Sequence, residues 1–104
     1  MELTKNTKDI LIRIYKVYKK RIKEGKSIDE STEFSNNFQY TDDVLSKMNC
    51  EDVERALREL QQAEAIKRYT DGEFVLNDLA INYMENQLKG NVEEIVDIVS
   101  KFIP

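Results

Sequence analysis

Arg55, Arg58 and Gln62, followed by Lys67 and Arg68, are the side chains in this 104-residue sequence best suited to bonding another molecule. On a helix, positions 55, 58 and 62 fall on one strip with Glu51 a turn before them, and Glu54, Glu59 and Gln61 lie beside it. Arginine bonds the guanine edge and glutamine the adenine edge in the major groove of duplex DNA. The same strip has a plainer reading. Glu51 to Arg55 and Glu54 to Arg58 are i,i+4 pairs in the favourable orientation, as on any solvated helix face. At the level of sequence both readings stay open.

Catalytic chemistry finds little to use. With no histidine, the commonest general base near neutral pH is missing, and the single cysteine, Cys50, has no thiol or imidazole partner for a disulfide or a zinc site. Cys50 reads as a small residue at a helix start. The carboxylates lie on helix faces or in first turns, and no Gly-rich phosphate loop, G-x-S-x-G elbow or H-E-x-x-H run occurs. The expectation is a binding protein, not an enzyme, with no catalytic residues, no metal and no cofactor.

The length suits one domain, 40% apolar residues supply a core, and a 35% charged fraction with a mean hydropathy of −0.60 supplies a solvated surface. No run approaches the roughly 20 apolar residues that span a bilayer, and the start MELTKNTKDI has no apolar leader, so a soluble cytoplasmic protein without membrane contact is expected.

Helical periodicity predicts a first helix over 7–24, apolar at Ile10, Leu11, Ile14, Tyr15, Val17, Tyr18 and Ile22 and basic on the opposite face, with Ile12 stranded among lysines and Gly25 ending it. Residues 26–40 have neither a helical nor a strand period and read as a long connection. Within it, Ser27 and Glu30 suggest a capping box, and Phe34, Phe38 and Tyr40 are expected at the core edge. Thr41 would cap a short second helix over 41–48 and Asn49 a third over 50–64, buried through Val53, Ala56, Leu57 and Leu60. Two runs of strand formers in 66–76 flank Asp71-Gly72, predicting a hairpin with a two-residue turn and with Tyr69 and Phe74 facing the core. Asn77 would cap a fourth helix over 77–89, and Asn91 with Glu94 a C-terminal helix over 91–103.

This order is mainly α with a small two-stranded β-hairpin, and the segment TDDVLSKMNCEDVERALRELQQAEAIKRYTDGEFVLNDLAINYMENQ resembles a winged helix-turn-helix. Leu57, Leu60 and Ile66 occupy the apolar places around the end of the third helix. Leu76-Asn77-Asp78-Leu79-Ala80 with Tyr83 and Met84 is similar to the L-T-E-x-G-x-x-Y-L ending of bacterial winged helices, with Asn77 for its threonine and Ala80 for its glycine. Taken with the amphipathic C-terminal helix, the pattern resembles the YjcQ-like group of small bacterial and phage proteins. The resemblance implies the fold; joined to the strip on the third helix, it makes the expected function that of a DNA-binding transcriptional regulator or accessory protein of phage or mobile-element type. DNA-binding residues would then be Arg55, Arg58, Gln62, Lys67 and Arg68.

Charge argues against that partner. Residues 1–26 hold nine Lys and Arg against three Asp and Glu, or +6, so the other 78 residues carry −10 to give the net −4. An overall pI near 4.9 is far from the basic footprint of a simple double-stranded DNA binder. The alternative is a protein-interaction module on the same fold. A homodimer through the C-terminal helix is also expected, because Val92, Ile95, Val96, Val99, Phe102 and Ile103 form one apolar stripe that needs cover, either a second copy or, alternatively, the first helix of the same chain.

Overall fold

The computed structural model describes residues 1–87 and is mostly helical, with a small antiparallel sheet. The predicted C-terminal helix over 91–103 and the last two residues of the predicted fourth helix lie outside the described residues.

Helix α1, Lys5–Lys23, starts two residues before the expected bound because the carbonyl of Thr4 accepts from the Lys8 N–H at 2.9 Å. It ends in a Schellman closure: Gly25, at φ 95°, donates to Ile22, and Lys26 donates to Arg21. The residue that broke its pattern, Ile12, is buried with Ile10, Leu11 and Ile14.

The stretch 26–40 is not a connection. Ser27 caps a helical turn, α2 (Ile28–Thr32), by accepting from the Glu30 N–H at 3.1 Å, and the chain then forms strand β1, Glu33–Phe34. With β2 (Ile66–Arg68) and β3 (Phe74–Leu76) this strand makes a sheet of order β1-β3-β2, pairing Phe34 with Phe74 and Glu33 with Val75. The two-stranded expectation is therefore corrected to three strands. Two residues are too few to show a strand period, and β1 is held by packing instead. The Phe34 ring stacks on Phe74 at 4.8 Å, Phe38 meets Phe34 edge-on at the same distance, and Arg21 lies over Phe34 at 4.4 Å while donating to the Glu33 carbonyl. Tyr40, expected beside them, is 62% exposed.

A second correction concerns the helix expected over 41–48. Helix α3 is Phe38–Thr41, so Thr41 ends a helix where it was expected to begin one, and a 3-10 turn follows at Leu45–Lys47. Asp42 makes the break: its Oδ2 accepts from the N–H groups of Val44 and Leu45 at 3.1 and 3.0 Å. The same carboxylate receives the Arg13 guanidinium from α1, with Nη2 at 2.8 Å from Oδ1 and Nε at 3.0 Å from Oδ2.

Asn49 then accepts from Glu51 and Asp52 to start α4, Cys50–Gln62. It stops two residues short of the expected 64, because Glu64 takes a left-handed φ of 62° and Ala65 donates to the Leu60 carbonyl, the same closure as at Gly25 with a side chain present. After β3 a further helix, α5, covers residues 78–87. The side-chain amide of Asn77 does not cap it. The Asn77 carbonyl accepts from Ala80 and Ile81, while the amide donates to Glu64 at 2.9 Å. Helices α1 and α4 pack together through Ile10, Leu11 and Ile14 against Val53, Leu57 and Leu60, and Ile66, Leu76 and Met84 complete the core.

Burial alone would push the Asp42 carboxyl up, but hydrogen bonds from Arg13, Leu45 and Val44, with the Arg13 charge, hold it below its ordinary value of 3.8. A depressed carboxyl contributes stability that is complete above the unfolded-state value and is lost as pH falls through the folded-state value. Asp42→Asn should therefore be less stable at pH 7 by roughly 1.5–3 kcal/mol. In thermal melts the gap to the parent should close below about pH 4. A gap that stays constant down to pH 2 would show that the charge is not what Asp42 contributes.

Candidate functional site

Helix α4 carries Arg55, Arg58 and Gln62 outward because Val53, Ala56, Leu57 and Leu60 take its opposite side into the core. All three are exposed and, with half-buried Glu59, line one shallow depression. The i,i+4 pairs expected of a plain solvated face are absent: Arg55 and Arg58 make no ion pair among the described residues. Two of the neighbouring carboxylates are engaged elsewhere, while Glu51 and Asp52 in the first turn are exposed. Glu54 is held by Arg68 of β2 in a two-pronged pair of 2.8 and 3.2 Å, and Glu59 accepts from the Thr4 backbone N–H and hydroxyl at 3.0 and 3.2 Å. The Arg68 hydrogen bond is the chief reason that the Glu54 carboxyl lies below its ordinary range; burial opposes it, and the Arg68 charge, Gln39 and Arg58 add to it.

Arg68 is the least exposed of the five candidate residues. Expected on the binding surface, its side chain is only 18% exposed and spends its fork on Glu54, so it joins the hairpin to α4 and does not face outward. Lys67 remains exposed, its Nζ 5.3 Å from the Tyr69 ring centroid. Tyr69 was expected in the core and is 47% exposed, whereas Phe74 is buried as expected. Strand alternation carried the signal: Ile66 inward and Lys67 outward put Tyr69 outward too.

The hairpin loop also differs from the two-residue expectation. Tyr69 and Glu73 are joined by an N–H to carbonyl bond of 2.8 Å, leaving Thr70-Asp71-Gly72 as a three-residue loop, and Gly72 donates to Tyr69 at 3.0 Å. Asp71 has no positive φ, as a two-residue type I′ turn would require; only Gly72, at φ 95°, does. A Cβ at Gly72 would stand 3.1 Å from the Cβ of Asn36.

The surface around the strip is not uniformly basic, since Glu51 and Asp52 occupy the first turn of α4, Asp71 lies in the loop and Glu73 follows it. The concentrated positive charge lies elsewhere, on an open groove of about 680 Å³ between α1 and the 3-10 turn, where Lys16, Lys20, Lys23 and Lys47 border Val17, Ile22 and Val44. Arg13 also lines it but is committed to Asp42. Among the described residues no cluster of His, Cys, Asp and Glu could hold a metal ion, and no helix is long and apolar enough to cross a membrane. The candidate dimer residues Val92, Ile95, Val96, Val99, Phe102 and Ile103 lie outside the described residues.

Two outcomes follow. Gly72→Val should destabilise the protein by about 1–2 kcal/mol, from the left-handed backbone alone, with the Asn36 contact adding to it; an unchanged denaturation midpoint would contradict the loop geometry. Arg68→Met should let the Glu54 carboxyl rise toward its ordinary value, read by NMR titration of its side-chain carbon, and a resonance that titrates as before would show that Arg68 is not its partner.

Compared with protein-family models, with curated proteins and with solved structures, the chain matches none of them.

Proposed function

We propose that this chain is a winged-helix module that binds duplex DNA through α4, as a transcriptional regulator or an accessory protein. The supporting order is α3 and the 3-10 turn, then α4, then the β2–β3 hairpin, with β1 pairing on β3 in the sheet. In helix-turn-helix proteins the second helix of the pair enters the major groove and its outward residues reach base edges. Here that helix is α4.

The observation that carries the reading is the release of Arg58 from Glu54, with Arg55 also outside any ion pair among the described residues. An arginine already paired to Glu54 would have to break that pair to reach a base, whereas Arg68 and Thr4 have taken up Glu54 and Glu59 beforehand. Gln62 continues the strip, and Lys67 with Tyr69 extends it onto the hairpin. The acidic first turn of α4 reduces the electrostatic share of affinity, so binding would depend on base contacts more than on phosphate neutralisation, with a shallow salt dependence.

Selection of bound duplexes from a random pool at low ionic strength tests this. The parent should enrich a sequence, and Arg55→Ala with Arg58→Ala should remove the preference, at about 1–3 kcal/mol per lost base contact. Lys67→Ala should weaken all duplexes alike. If the parent retains no duplex DNA even at low ionic strength, the DNA reading falls and the module binds protein instead.

A further inference from the structure

The groove between α1 and the 3-10 turn has a composition unlike the rest of the described surface. Val17 and Ile22, both half-buried, and Val44 make its apolar part, and Lys16, Lys19, Lys20, Lys23 and Lys47 stand exposed around them, against a single exposed carboxylate, Asp43. None of these lysines makes an ion pair among the described residues. A phosphate backbone would satisfy the lysines and leave the valines and isoleucine against water. An acidic amphipathic helix would satisfy both.

The chain encodes one such segment. Residues 91–103 place Val92, Ile95, Val96 and Val99 at helical spacing, with Glu93, Glu94 and Asp97 beside them. As a helix, these residues would extend about 20 Å, against about 10 Å for α1 from Lys16 to Lys23, so the stripe can cover the groove and its acids can meet the bordering lysines. The segment is also within reach. Helix α5 is anchored in the same core as α1, with Ala80, Ile81 and Met84 buried in one cluster with Ile14, Tyr15 and Tyr18. Residues 88–90, which include Gly90, can span about 10 Å and reverse direction. A tether that short holds the segment at millimolar effective concentration, which favours its own groove over that of another copy.

We propose that the groove on α1 receives residues 91–103 of the same chain, apolar stripe on Val17 and Ile22 and acidic side chains on Lys16, Lys20, Lys23 and Lys47. This is independent of the DNA reading, which concerns α4 and the hairpin.

Zero-length carbodiimide coupling, which joins a lysine amine to a carboxylate only in contact, tests it on the full chain. An equal mixture of unlabelled and nitrogen-15-labelled protein is coupled, digested and analysed by mass spectrometry. The expected products join Lys16, Lys20, Lys23 or Lys47 to Glu93, Glu94 or Asp97, with both peptides of the same isotope. The Lys5–Asp9 pair, 3.4 Å apart, reports that the reagent acted. In Lys20→Glu with Lys23→Glu, both exposed positions, the links from Lys16 and Lys47 should fall about tenfold, because like charges would then oppose the acidic face. Mixed-isotope products would overturn the proposal in favour of exchange between two copies. Coupling of Lys5 to Asp9 without any groove link would overturn it outright.

Discussion

Two distant parts of the chain, α1 and the stretch from Asp42 to Leu45, meet at the Asp42 carboxylate, and the placement of α4 depends on that meeting. From α1 it receives the Arg13 guanidinium, and from its own sequence neighbours it receives the N–H groups of Val44 and Leu45, which α3 would otherwise have continued to bond. The carboxylate is thus both the stop of one helix and the start of the 3-10 turn, and the arginine fixes the direction in which that turn leaves α1. Seven residues later Asn49 begins α4. Any slack at Asp42 would be carried along the helix and displace the strip at Arg55, Arg58 and Gln62 relative to the hairpin.

The second organising feature is a competition that the local pairs lose. An i,i+4 ion pair on an exposed helix contributes only about 0.3–0.5 kcal/mol, and a two-pronged arginine contact with a half-buried carboxylate outbids it. Arg68 therefore takes Glu54 although Arg58 stands one turn away. One contact joins the hairpin to the helix and at the same time leaves an arginine exposed without a counter-ion. The effect is structural in origin and chemical in consequence.

Long periodic segments were legible in the sequence because many residues report the same period. Helices α1 and α4 and the hairpin fall within two residues of their expected bounds. The stretch 26–40 was not legible, for a reason that Phe34 illustrates: a two-residue strand has no period, and its position is set by Phe74, some forty residues away, and by the Arg21 side chain. Ile12 looked misplaced because it was judged by one face of an isolated helix. Asp42 looked like a first-turn acid because its arginine partner is distant in sequence. Arg68 looked available for the same reason, whereas Tyr69 was misjudged although strand alternation alone would have turned it outward.

One further feature bears on how the hairpin behaves in time. Asn77 closes the hairpin at its base with two bonds, its N–H to the Ala65 carbonyl and its side-chain amide to the Glu64 carbonyl, which the left-handed turn at Glu64 turns toward it. The end of α4 and the beginning of α5 are thereby fastened at one point, and neither can fray without releasing the other. The amide protons of Ala65 and Asn77 should consequently exchange with solvent together, as one cooperative opening unit, and more slowly than those at the Thr70-Asp71-Gly72 tip. The hairpin is then fixed at its root through Asn77 and meets Asn36 at its tip, so the helix that carries the arginines and the loop are held at opposite ends of the same two strands.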